Sequence, residues 1–190
     1  MNDAMDITRK GSSMIIRRLD ARAIGKVRTQ LATLLLDAVA DGHSLGFLAG
    51  LDDVQLDEYW SGVEREVGRG TRVLLAAERT GVLVGSVQLD LCQKPNGSNR
   101  AELQKMLVHC TMRRRGIGTA LLQAAEIEAL SLRRGLLFLE TEAGTRAEQL
   151  LGKAGYVRVG ELPEYCSTPN GHWRAVAIWY KTLFSRVRTC

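Results

Sequence analysis

Apolar residues recur along this chain with two periods, and the switches between them lay out its elements. Met14–Leu19 reads as a strand, followed by Asp20 as a helix cap. From Ala21 to Ala40, Ile24, Val27, Leu31, Leu34, Leu35 and Ala38 fall on one helical face, and Gly42 is placed to end it. A glycine-rich connection over 42–50 leads to Asp52 or Asp53 as cap of a second helix running to about Val67, with Leu56, Tyr59, Trp60 and Val63 inward. Residues 73–78 and 82–91 are β-rich runs joined by Arg79-Thr80-Gly81, a hairpin signal. Turn chemistry fills 93–99, and 100–108 is the next strand. Simple alternation there puts Glu102, Gln104, Met106 and Val108 on one side, with Leu103, Lys105 and Leu107 on the other. A helix with Ile117, Ala120, Leu121, Ala124 and Ile127 at helical spacing follows, then a break at Gly135 and a short buried strand, 136–141. A short helix over 145–153 is closed by Gly155. A strand at 156–162, a loop at 163–171 and a last strand at 173–183 complete the pattern. Residues 1–13 are polar and irregular, the composition of a flexible arm.

The stretch 105–122 carries the clearest chemistry. A strand runs into a basic, glycine-punctuated turn, and a helix begins at once. Glycines at 116 and 118 let backbone approach a ligand without an intervening Cβ, and the free N–H groups of a new helix attract an anion. Arg113, Arg114 and Arg115 add charge suited to phosphate oxygens.

Composition narrows the field. A chain of 190 residues with 45% hydrophobic content suits one compact domain. The net charge of +5 favours an anionic ligand; nucleic acid would fit the charge too, but no second recognition helix follows 145–155, so none is expected as a partner. Cys92, Cys110, Cys166 and Cys190 form no metal spacing and read as reduced thiols, mostly structural, in a cytoplasmic protein. No apolar run suggests a membrane span, the start of the chain does not read as a signal peptide, and no metal is expected. His43, His109 and His172 read as solvated, with His109 at the start of the basic turn.

The pattern Arg113-x-x-Gly116-x-Gly118 resembles the acyl-CoA pyrophosphate loop of the GNAT N-acetyltransferases, and the order of elements is similar to that family's. Stretches at 44–47, 91–105, 134–144, 156–166 and 180–183 resemble one branch, the tabtoxin-resistance type. The resemblance implies an α/β (α+β) fold, with a mixed, mostly antiparallel sheet flanked by helices, as a single domain over 14–184. It implies an acetyl-CoA-dependent N-acetyltransferase (EC 2.3.1) acting on a small-molecule amine, amino-acid-like or an antimetabolite, by direct attack through a tetrahedral intermediate. A toxin-resistance role and a homodimer come from the same resemblance.

It also assigns candidate residues. Met106, Leu107 and Val108 would pair with the pantetheine arm, and a backbone N–H freed near Leu107 or Val108 would meet the oxyanion. Arg113, Arg114, Arg115, Gly116, Ile117, Gly118 and Thr119 would hold the pyrophosphate. An ammonium must lose a proton before it attacks, so a base is needed, directly or through water. Glu102 and Glu140 match the branch's Glu and Asp, Glu140 being one methylene longer. The family's thiolate-protonating Tyr has Leu151 at its matching position. That departure keeps a non-catalytic acyl-CoA-binding module as an alternative, beside a peptide or protein N-acetyltransferase.

Overall fold

The computed structural model describes residues 5–7, 14–43, 45–48 and 50–184. Eight strands form one sheet: β1 (Met5–Ile7), β2 (Met14–Leu19), β3 (Arg72–Arg79), β4 (Val82–Leu91), β5 (Arg100–Val108), β6 (Leu136–Glu142), β7 (Val157–Ser167) and β8 (Trp173–Thr182). Four α-helices are interspersed: α1 (Ala21–Ala40), α2 (Asp53–Gly68), α3 (Ile117–Ser131) and α4 (Arg146–Lys153). The strand order is β1-β2-β3-β4-β5-β6-β8-β7, and only the β5–β6 pair is parallel. This is the expected mixed, mostly antiparallel sheet, with seven strands of six residues or more and the three-residue β1 at one edge. β1 falls within the expected arm and pairs with Met14–Ile16; the other arm residues, with Ser44 and Ala49, lie outside the described residues.

Two apolar clusters sandwich the sheet. One joins α1 and α2 to one face through Leu31, Leu35, Trp60, Leu74 and Leu107. The other joins α3 to the opposite face through Leu121, Leu122, Leu89, Leu103 and Leu137. Local signals set the helix starts. Asp20 accepts from Ala23 N at 2.7 Å. Asp52, not Asp53, caps α2 in a reciprocal box with Gln55. Gly85 lets α3 lie directly on β4, since a Cβ there would sit 2.7 Å from Leu107 O and 3.0 Å from Leu121 Cδ1.

Three expectations need correction. Ile127 is 49% exposed, because Leu122, Ala125 and Ala129 take the buried face of α3. The loop expected at 163–171 begins later, because β7 continues through Pro163 to Ser167. Pro163 is tolerated because β7 is the sheet edge, where a missing N–H costs no ladder bond, and Glu164 (φ 49°) absorbs the register shift between Leu162 and Cys166. The third concerns β5. Its alternation breaks at a bulge, where Gln104 pairs with Gln88 but Leu107 pairs with Ser86. Lys105 takes φ 46° there. Met106 and Val108 therefore pack with Leu103 on the α3 face, while Leu107 joins Glu102 and Gln104 on the α1/α2 face.

Candidate functional site

β5 and β6 run side by side only from Arg100–Leu136 to Glu102–Phe138, then part. Beyond Glu102 the edge of β5 is therefore not laddered to β6. His109 N donates to Val84 O at 3.1 Å, so antiparallel alternation turns the N–H and C=O of Val108 away from β4, toward the gap. The bulge lies at Lys105–Met106, slightly before the expected Leu107 or Val108, because Val87 on β4 faces two residues.

At one end of the gap is the basic turn. Gly116 takes φ 81°, a conformation a side chain would strain, and caps α3 without any side-chain hydrogen bond. The helical ladder starts with Ala120 N on Gly116 O at 3.0 Å, so the N–H groups of Ile117, Gly118 and Thr119 point out of the helix start. Gly118 packs within 3.4 Å of Leu150, measured from a built Cβ. Arg114 and Arg115 are exposed at this helix start. Arg113 has other partners: Nε donates to Val108 O at 3.2 Å, and its Nη1 pairs with Asp41. Arg113 thus ties the turn to the end of α1. It holds the Asp41 carboxyl below the usual carboxylate range by hydrogen bonding.

Asp37 reinforces this tie. It accepts from Cys110 N at 2.8 Å and lies 3.8 Å from both His109 Nε2 and Arg113 Nη2. His109 is half-buried rather than fully solvated. Asp37, His109 and Cys110 bring an oxygen, a nitrogen and a sulfur within 4.8 Å of one another, a grouping that spacing along the chain did not reveal. The Arg113 guanidinium against the same carboxylate competes with any cation there.

On the α1/α2 face lies a polar inlay. Arg72 donates to Gln88 (2.6 Å), Gln104 (3.2 Å) and Asp90 (2.9 Å), and Nε pairs with Glu66 at 2.6 Å. Gln88 donates to Tyr59 Oη at 3.0 Å. Glu102 sits beside this group. Burial raises its pKa above the ordinary carboxylate range, Gln104 eases it down, and Glu140 and Asp90 push it up again. Glu140 follows Phe138, the β6 neighbour of Glu102, by one alternation step, so the two carboxylates share a face. Tyr165 Oη donates to Glu140 Oε1 at 3.1 Å from β7. That bond comes first in holding the Tyr165 hydroxyl protonated above its usual range. The sequence named Tyr165 without placing it, since nothing local reveals that the edge strand reaches back to β6. The 42–50 loop covers this side, with Phe47 edge-on to Tyr59 at 5.1 Å. A recess of about 390 Å³ opens beneath it, lined by Gly46, Phe47, Leu48, Gly50, Leu51 and Gln55.

Leu151 is fully buried in the α3-side core, and Tyr156 is buried near it. No hydroxyl stands at the Leu151 position. Trp60 and Trp179 are buried, and Trp173 is exposed. Cys92, Cys110 and Cys166 are free thiols; Cys190 lies outside the described residues. No described helix is long and apolar enough to cross a membrane.

A mixed sheet parted at the parallel β5–β6 pair, with a glycine-turned helix at the parting, defines an α/β protein with an open strand edge beside a helix start. Residues 36–156 match the signature of the acetyltransferase (GNAT) family, and the chain belongs to that family. Solved structures share the fold. An N-acetyltransferase from Staphylococcus aureus Mu50 has 18% identity and a TM-score of 0.77, covering 90% of this chain and 99% of its own. A ribosomal-protein-alanine N-acetyltransferase from Brucella melitensis has 24% identity and a TM-score of 0.73, covering 88% and 99%. The yncA protein of Salmonella typhimurium, solved with acetyl-CoA, has 18% identity and a TM-score of 0.76, covering 93% and 99%.

Proposed function

We propose that the protein is an acetyl-CoA-dependent N-acetyltransferase for a small amine, amino-acid-like or an antimetabolite of the kind the tabtoxin-resistance resemblance implies. One observation carries the reading: the unladdered edge of β5 runs between an uncapped helix start and a pair of carboxylates. In this reading the N–H groups of Ile117, Gly118 and Thr119, with Arg114 and Arg115, hold the pyrophosphate. Met106, Leu107 and Val108 offer the strand edge to the pantetheine arm, and the outward Val108 N–H faces the reacting carbonyl. Arg113 serves from behind, keeping the turn in place through Val108 O and Asp41.

Glu102 takes the ammonium proton, directly or through water. A raised pKa suits it, because a base works best near the operating pH. Glu140 tunes Glu102 and holds Tyr165. Attack by the freed amine gives a tetrahedral intermediate, and the thiolate leaves without a hydroxyl from position 151. That missing hydroxyl is the observation favouring the second reading, a non-catalytic acyl-CoA-binding module.

Acetyl-CoA-dependent acetylation across amino acids, polyamines, aminoglycosides and short peptides, read by mass spectrometry, separates the two. Acetylated product supports the enzyme. Acetyl-CoA binding with no product across the panel supports the module.

A further inference from the structure

Lys105 is half-buried on the Glu102 side of the sheet, where it feels the Glu102 charge at a distance but forms no ion pair. The bulge turns it out of the strand alternation, and its Nζ lies over the Phe47 ring, 5.8 Å from the centroid. Gly46 is close as well, since a Cβ there would stand 3.8 Å from Nζ. Two half-buried cations nearby or on the same sheet are paired with carboxylates: Arg72 has Asp90 and Glu66, and Lys181 has both oxygens of Glu126. Among the described residues no carboxylate lies within ion-pair distance of Lys105, and no hydrogen bond takes its ammonium. A half-buried ammonium without an acceptor is costly, and the cost is relieved when an anion arrives. Glu102 shares the face but stays unpaired with Lys105, and three strand residues separate their Cα atoms by about 10 Å. The two heads thus offer a negative and a positive pole on one face, the charge pattern that a zwitterionic amino acid would match.

We propose that the Lys105 ammonium, beside Phe47 and Gly46, binds the carboxylate of the acceptor, which is therefore an amine that carries its own carboxylate, such as a free amino acid. The proposal rests on the transferase reading above. The acceptor's ammonium faces Glu102 while its carboxylate rests on Lys105. Burial and then Arg72 depress the Lys105 pKa, Glu102 partly offsets them, and a bound carboxylate adds to that offset. The site discriminates against amines in which the carboxylate is absent, amidated or consumed in a peptide bond.

The test compares wild type with K105M and K105R on matched acceptors: free L-amino acids, their carboxamides, their decarboxylated amines, and peptides sharing the N-terminal residue. Products are counted by mass spectrometry, and acetyl-CoA affinity is measured by calorimetry. Wild type is expected to prefer the free acid, with a preference that falls about tenfold or more in K105M, the loss of one charge-assisted hydrogen bond. K105R is expected to recover part of it, with acetyl-CoA affinity alike in all three. If K105M does not fold, the wild-type preference and the K105R value carry the result. Transfer without preference for the acid, or a preference unchanged in K105M, overturns the carboxylate site and leaves the transferase standing. Acetyl-CoA binding with no transfer to any acceptor overturns both.

Discussion

Each face of the sheet buries its own aliphatic cluster, and the two clusters frame different chemistry. Toward α3, Leu103, Leu121, Leu122, Leu137 and Leu151 make an apolar wall, and the chemistry is confined to its rim, where α3 begins without a cap. Toward α1 and α2, the apolar cluster is interrupted by Arg72, Gln88, Gln104 and Tyr59, a network brought together from α2, β3, β4 and β5. In the proposed reading the first face makes its anion site from backbone, which needs only a glycine turn and a firm wall behind it. The second makes a charged site from side chains, which must be drawn from distant segments and hydrogen-bonded to survive burial. Substitutions should therefore separate the faces: damage to the turn should cost binding of the phosphate-tailed partner, and damage to the inlay should cost chemistry.

The largest effect is expected at Glu102. Glu102→Gln removes the proton acceptor and should lower turnover by about 10²–10⁴-fold, most at lower pH, while acetyl-CoA affinity stays near wild type. Pre-steady-state turnover with calorimetry checks both halves. Full activity in a folded Glu102→Gln protein removes Glu102 as base. Gly116→Asp is the mirror image. It forces a side chain into φ 81° and sets a carboxylate at the helix start, so acetyl-CoA affinity should fall by about 100-fold, the order of two lost charge-assisted bonds. Unchanged affinity in folded Gly116→Asp would break the assignment of the turn.

Most of the fold was legible because its signals are local. Periodicity marked seven strands and four helices, Asp20 and Asp52 announced their helices, and the glycine turn before α3 advertised itself. The site was legible only in part. Glu102 and Glu140 were named, yet the strand alternation that grouped Glu102 with Met106 was wrong past Gln104, because a bulge depends on the partner strand and leaves no mark in its own. The same bulge moves Lys105 to the acceptor side, which no period of two predicts. Arg113 was named for phosphate; that it also pairs with Asp37 and Asp41, some seventy positions away, invites no local inference. Tyr165 was hidden for a similar reason: edge strand β7 reaches Glu140 across β8.

A smaller effect is expected where the two faces are tied together. Arg113→Ala removes the Asp41 pair and the bond to Val108 O, and should cost about 1 kcal/mol, since the pair is partly exposed and screened. The Asp41 pKa is lowered in the folded state, so its contribution is present above the unfolded carboxylate pKa and lost as pH falls through the folded one. The stability gap between wild type and Arg113→Ala, read by denaturant unfolding, should therefore narrow at acidic pH to what the Val108 O bond contributes. A gap that stays as wide or widens there would mean that Asp41 is not the partner that matters.

The finest division lies within the α1/α2 face, between Glu102, the proposed base, and Glu140, proposed to tune it. Glu102 is raised first by burial and then by Glu140, so the acid limb of kcat/KM should lie above the ordinary carboxylate range, with activity rising as pH climbs through it. Glu140→Gln keeps shape and hydrogen-bonding capacity but removes one negative charge. The Glu102 anion then becomes easier to form, and the limb should move to lower pH. Burial remains the larger cause, so the limb should stop short of the value for a free glutamate. Asp90→Asn should act in the same direction and by less, because its influence ranks below that of Glu140. A pH profile of kcat/KM for wild type and both variants, at one ionic strength, reads all of this. A limb unmoved in Glu140→Gln would mean that the titrating base is not Glu102, and an upward move would mean that Glu140 itself accepts the proton.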